Sequence, residues 1–226
     1  MKRLGRIPLN PDILGKYDYT KDTWNPRAEP GSPQVPSQAD RENLWEALIE
    51  MQRNTCVYCE AKLEADSHIE HFAKRGSRPD LTFEWSNLFG SCGKGNCCGH
   101  FKDSASNPHR NYQLQDLVKP DDEDPWTYLV FGSDGRVSVR EGISADEQKK
   151  GLKTINVLNL NASHHIPERV CRYSLVSSLL PFMEELSADE FFLLCEDEIN
   201  AMLPYLSDYS SAALQHLPPE VLCRFS

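Results

Sequence analysis

The chain has 226 residues, 39% of them hydrophobic and 26% charged, with 34 acidic side chains against 24 basic ones and a formal net charge of −10. That length suits one large domain or two small ones, and the hydrophobic content is ordinary for a soluble globular protein. The acid excess argues against tight, unaided, nonspecific binding to DNA, and no apolar run is long enough to span a bilayer.

Met1-Lys-Arg-Leu-Gly-Arg6 is basic but lacks the apolar stretch of a secretory signal, so a cytoplasmic setting is expected. Residues 1–37 hold Pro8, Pro11, Pro26, Pro30, Pro33 and Pro36. Proline removes a backbone donor and fixes φ, so long helices and central strands are excluded here. The segment reads as an extended N-terminal arm anchored by Tyr17, Tyr19 and Trp24. Residues 38–53 read as an amphipathic helix capped by Ser37, with Leu44, Trp45, Leu48, Ile49 and Met51 on its apolar face.

The helix delivers the chain into the stretch from Cys56 to Asp103, which holds five of the eight cysteines and three of the seven histidines. Cys56-Val-Tyr-Cys59 has the spacing with which two thiolates reach one zinc ion from a tight turn. Cys92 with Cys98 or Cys97 supplies a second pair; Cys98 is preferred because it directly precedes Gly99-His100. In a cytoplasmic setting, clustered cysteines serve metals more readily than disulfides. A second chemistry is interleaved with the first. Hydrolysis of a phosphodiester needs an activated water and a cation to stabilise charge on the phosphate. His71 suits the base, because an imidazole titrates near neutrality. Glu70 and His100 suit ligands of a divalent cation, and the amide of Asn87 can orient the His71 ring. His68 is an open case, a further ligand or an exposed ring.

This order of residues (Cys-x-x-Cys, Glu70-His71, Asn87-Leu88, a second cysteine pair, His100) resembles the HNH, or ββα-metal, endonucleases. The closing Cys98-Gly-His-Phe-Lys-Asp103 is more narrowly similar to the HNH effectors of Septu-type and retron-associated phage-defence systems. The resemblance implies two short strands and a helix around a catalytic magnesium or manganese ion. It places the first strand at 67–72 and a helix near Cys98 whose N-terminus faces the phosphate. It also implies an ATPase partner and, in retron systems, a reverse transcriptase with its DNA product. DNA is the preferred substrate, with structured RNA left open. Lys74, Arg75, Arg78 and Lys102 crowd the site and are expected to contact nucleic acid.

Residues 104–124 are polar and irregular; Asn107, His109 and Arg110 read as an ordinary loop. Trp126–Phe131 and Arg136–Arg140 flank Gly-Ser-Asp-Gly and read as a hairpin. Ser144 followed by Glu147 is a capping box opening a helix that carries Leu152, Ile155, Leu158 and Leu160. A second helix runs to about Leu186, with Val170, Tyr173, Leu175, Val176 and Leu179 apolar and Pro181 bending or ending it. Ser187 to Glu190 starts another, with Phe191, Phe192, Leu194, Ile199, Met202 and Leu203 on its buried face, and a last short helix spans roughly 208–217. Cys171, Cys195 and Cys223 read as single buried thiols. His164-His165 has no cysteine or acidic pattern beside it and is not assigned a metal.

The whole reads as an α+β protein, with a ββα-metal HNH core and a structural four-cysteine zinc site at 38–120, embedded in a mostly helical surround. The arm occupies 1–37, and a hairpin with helices occupies 121–226. The competing class is a zinc-ribbon adaptor without catalysis, which leaves Glu70, His71, Asn87 and His100 unexplained.

Overall fold

A computed structural model describes residues 1–27, 31–187, 189–191, 193 and 208–217. In chain order the elements are α1 (Pro11–Leu14), α2 (Gln38–Gln52), β1 (His68–His71), β2 (Leu88–Ser91), α3 (Cys98–Lys102), β3 (Leu129–Phe131), β4 (Val137–Val139), α4 (Ala145–Leu158), α5 (His165–Ser177), α6 (Leu180–Glu185) and α7 (Ser211–Leu214). The architecture mixes helices with two small antiparallel sheets, β1–β2 and β3–β4.

Helix α2 begins where expected, because the Ser37 hydroxyl accepts the Asp40 amide at 3.3 Å. Its buried side is Leu44, Leu48 and Met51, with Trp45 half-buried; Ile49, expected on that face, is exposed. The last residue, Gln52, ties the helix to the first sheet. Its Oε1 accepts the Gly90 amide at 2.7 Å, and its Nε2 donates to the Gly90 and Thr55 carbonyls at 2.9 and 2.7 Å. One side-chain amide thus serves both backbone groups of Gly90 on strand β2, whose carbonyl also accepts the Val57 amide at 3.1 Å.

The β1–β2 register pairs His68 with Ser91, Ile69 with Gly90, Glu70 with Phe89 and His71 with Leu88. β1 is two residues shorter than expected, and the connection holds two 3-10 turns, Pro79–Leu81 and Trp85–Asn87. Helix α3 has five residues, which is too short for the dipole-driven phosphate site expected at its N-terminus.

One hydrophobic core runs from Met1 and Leu4 through Leu44, Tyr58, Phe89 and Leu129 to Leu158 and Ala212. The N-terminal segment enters this core through Leu14 and Trp24, and Tyr17 stacks on Phe83 at 5.3 Å. Tyr19, expected as a third anchor, is exposed. The second hairpin forms at the Gly-Ser-Asp-Gly turn, but Trp126 lies in a 3-10 turn before β3. Gly135, at φ 78°, lets that turn lie flush on α5, since a Cβ there would strike the Ile166 carbonyl.

The Ser144–Glu147 capping box is formed and opens α4. Leu152 and Val170 point outward rather than inward. Pro181 does not end the second helix: the chain breaks at Ser178–Leu179 and Pro181 sits in the first turn of α6, where its missing N–H costs nothing. The Ser187 hydroxyl accepts the Glu190 amide, as a helix start requires. Phe191 is buried beside Val176, Leu179, Ala213 and Leu217. Phe192, Leu194, Ile199, Met202, Leu203, Cys195 and Cys223 lie outside the described residues, and Cys171 is exposed. Among the described residues, no helix is long and apolar enough to cross a membrane.

Candidate active site and metal centre

Cys56 and Cys59 sit in a tight turn in which the Glu60 amide donates to the Cys56 carbonyl at 3.0 Å, with Glu60 itself at φ 65°. The Cys56 amide donates to the Ala61 carbonyl, and the Ala61 amide points back at the Cys59 sulfur at 3.4 Å. Cys92 follows β2, and Cys98 opens α3 with φ 54°. The Sγ atoms of Cys56, Cys59, Cys92 and Cys98 lie within 4.8 Å of one another, all buried. The Cys59–Cys92 separation of 3.8 Å equals the edge of a tetrahedron built on zinc–sulfur bonds of about 2.3 Å. Between the two candidates left open by spacing, Cys98 joins this set, and Cys97 lies to one side.

Burial and the neighbouring sulfurs push the Cys59 and Cys98 thiols well above their ordinary values. A cation that binds thiolate reverses that preference, so the donor set fits zinc. Arg169 is fully buried, lies in the field of Cys59 and Cys98, and leaves Nε and Nη2 without hydrogen-bond partners among the described residues. Its charge complements a cluster of thiolates.

Strand β1 carries the other chemistry. His68 and Glu70, two apart, share a face, with His68 Nε2 3.5 Å from Glu70 Oε2. His100, from α3, stacks on His68 with ring centroids 3.9 Å apart. Gly99 makes this approach possible, since a Cβ there would collide with the Glu70 carboxylate and the His68 ring. His68, Glu70, His71 and His100 all line one cleft of about 790 Å³, together with Trp24, Arg27, Arg41, Arg75 and Asp103. Glu70 and the two imidazoles are donors suited to a hard or borderline divalent cation. Among the described residues, no group of three such donors outside the cysteine clusters lies within 4.8 Å.

Burial alone would raise the Glu70 carboxyl. The Lys102 ammonium, 2.9 Å from Oε1, and His68 outweigh it and carry the carboxyl down to about 2. Lys102, expected at the nucleic-acid face, is instead fully buried, paired with Glu70 and donating to the carbonyls of His71 and Phe72 at 3.1 and 3.3 Å. A polyanion cannot reach it in this fold, and its contacts tie it to strand β1.

His71 is buried, and its Nε2 lies 3.0 Å from the Thr82 carbonyl oxygen. A carbonyl only accepts, so Nε2 carries the proton and Nδ1 keeps its lone pair. Burial first, and the Arg75 charge second, lower the imidazole to about 4, so the ring is neutral at pH 7. Trp24 stands edge-on to it with centroids 4.5 Å apart.

Asn87, expected to orient this ring directly, does something else with its amide. Oδ1 accepts the Ala73 amide at 2.7 Å, while Nδ2 donates to the Ala73 and Leu81 carbonyls at 3.2 and 3.0 Å. It closes the 73–81 loop next to both His71 and Thr82, and so positions the ring at one remove.

The remaining basic candidates divide. The Arg75 Nη1 donates to the Trp24 carbonyl at 3.1 Å on the cleft wall. Lys74 bonds the Arg110 carbonyl at 3.1 Å, and Arg78 pairs with Asp80, both beside a separate hollow. Asn107 is buried, bonding the Val157 carbonyl at 3.0 Å.

Two features escape sequence reasoning. Arg41, on the second turn of α2, lines the cleft with a buried Nη1 that has no hydrogen-bond partner among the described residues. No local pattern marks one arginine on a helix as a site residue. His164 and His165 lie more than sixty residues from the cysteine cluster in sequence, yet the fold sets both against Cys97, at 3.6 and 3.3 Å.

No protein-family model matches the chain. Two curated proteins are similar to it. Septu protein PtuB of Bacillus thuringiensis is 31% identical over 124 residues, covering 51% of this chain and 40% of that protein. The protein named "Retron Vc95 putative HNH endonuclease" of Vibrio cholerae serotype O1 biovar El Tor is 27% identical over 140 residues, covering 58% of this chain and 64% of that protein. The chain thus spans under half of the first relative and just under two thirds of the second. The chain is thus similar to a Septu protein and to a retron protein named a putative HNH endonuclease.

Proposed function

We propose that the chain is a metal-dependent HNH endonuclease that hydrolyses phosphodiester bonds, with DNA as the preferred polymer and structured RNA as the second. The observation that carries this reading is the cleft in which the β1–β2 pair and α3 bring together Glu70, His71 and His100 beneath unpaired arginine. The names of the relatives support it.

In this reading Nδ1 of His71 takes the proton of the attacking water, because Thr82 holds the proton of the ring on Nε2. Asn87 keeps the two together through the loop between them. Glu70 and His100 hold a magnesium or manganese ion, which when bound supplies charge stabilisation at the phosphate. Arg41 and Arg75 contact the substrate backbone from the cleft wall, as do Lys74 and Arg78 further out. Cys56, Cys59, Cys92 and Cys98 hold zinc, which closes the segment carrying the site.

The chain acts as the toxic effector of an anti-phage system in the cytoplasm, with an ATPase partner and, in a retron setting, a reverse transcriptase and its DNA product. The net charge of −10 favours a partner that supplies part of the grip on nucleic acid. The test is His71→Ala in cells carrying the whole system. Loss of phage protection, with protein level and zinc content kept, is the expected result. Undiminished protection would leave the zinc-ribbon adaptor as the correct class.

A further inference from the structure

We infer that Cys97, His164 and His165 form a second zinc site that shares Cys98 with the four-cysteine cluster. It does not depend on the nuclease reading.

The geometry rests on four separations. Cys97 Sγ lies 3.3 Å from His165 Nε2 and 3.6 Å from His164 Nε2. Zinc bonds of about 2.3 Å to sulfur and 2.0 Å to nitrogen at a tetrahedral angle put such pairs about 3.5 Å apart. Cys97, Cys98 and His165 present donor atoms within 4.8 Å of one another, all three buried. Cys97 Sγ is also 4.0 Å from Cys92 Sγ, so the fifth thiol abuts the first cluster rather than standing apart.

The backbone explains how neighbours in sequence serve two ions. Cys97 is extended, with φ −149°, and Cys98 is left-handed, with φ 54°. A non-glycine residue in that region carries a cost that its surroundings must offset. Here the turn places both consecutive thiols within 4.8 Å of a His165 nitrogen. A thiolate with two lone pairs can bridge two zinc ions, which is how Cys98 belongs to both sets.

The surroundings of the histidines fit ligation. With Nε2 of His165 on the metal, Nδ1 carries the ring proton and donates it to the Tyr209 hydroxyl, 2.9 Å away. An outer partner of this kind is the usual means of fixing a ligating imidazole. The C-cap of α4 brings the segment into place, as Asn159 Nδ2 donates to the Asn96 carbonyl at 2.7 Å. Imidazole with thiolate is a donor set that selects zinc over hard cations. Binding releases the Cys97 thiol proton to solvent. The site would staple the start of α5 to the zinc loop across more than sixty residues of chain, a long closure with a large entropic return.

The test is zinc content per chain of the full protein, purified reduced with zinc present, compared with Cys97→Ala and with His164→Ala/His165→Ala. Two zinc ions per wild-type chain, falling to one in both variants, is the expected result. One zinc in the wild type, or two retained in both variants, would overturn the inference. Should the variants fail to fold, zinc X-ray absorption on the wild type decides. Imidazole scattering beside sulfur is expected, and a shell of sulfur alone would refute it.

Discussion

At the scale of single residues, the cleft is organised by groups set behind its walls. Lys102 is the clearest. Its sequence position beside His100 suggests phosphate, yet it is sealed under β1 against Glu70. Removing it leaves a buried carboxylate without its partner, which costs about 3–5 kcal/mol. Lys102→Met should therefore lower the unfolding midpoint in denaturant strongly. A variant of unchanged stability that merely binds nucleic acid less well would contradict this assignment. Asn87→Ala strands the buried amide and carbonyl of Ala73 and should destabilise by about 2–3 kcal/mol, measured by chemical unfolding. Arg41→Ala should leave stability nearly unchanged and slow cleavage about ten- to hundredfold, the worth of one charge-assisted contact; an unaltered rate would remove Arg41 from the site.

At the scale of elements, the cysteine spacing and the acid–histidine step announce which segments meet, because ligand chemistry fixes both residue type and distance. Helix α2 and its Ser37 cap are legible for a similar reason, since capping is local. Contact between distant segments is not legible in this way. His164 and His165 are more than sixty residues from Cys97 in the chain, and only the fold puts them beside it. Trp24 reads as an anchor, but not as the ring standing edge-on to His71. Trp24→Ala should cost about 3–5 kcal/mol by cavity formation, read by thermal or chemical unfolding. A fully stable variant would mean that the N-terminal segment is not held as described. The ring of His71 is a similar lesson. Its orienting group is a backbone carbonyl, which no side-chain pattern can advertise.

At the scale of the whole molecule, the larger of two hydrophobic clusters among the described residues gathers side chains from Met1 to Ala212, so the segments named by composition share buried surface. The four-cysteine cluster lies within that core. Stripping zinc with a chelator should accordingly lower cooperative stability of the entire chain, visible as a drop in the thermal midpoint, and not merely loosen the 56–98 loop. The acidic balance points to a chain that cuts weakly alone. Vigorous cutting of plasmid by the isolated chain would contradict that expectation.

The central claim is that the cleft around His71 hydrolyses phosphodiester bonds. Its most direct test is cleavage of plasmid DNA and of total RNA in magnesium or manganese, with and without the proposed ATPase partner, comparing wild type with His71→Ala. The account predicts metal-dependent cutting that falls by about a hundred- to ten-thousandfold in the variant, the usual contribution of a general base. Cutting that persists at the wild-type rate in His71→Ala, or none under any condition from a chain that holds its zinc, would contradict it.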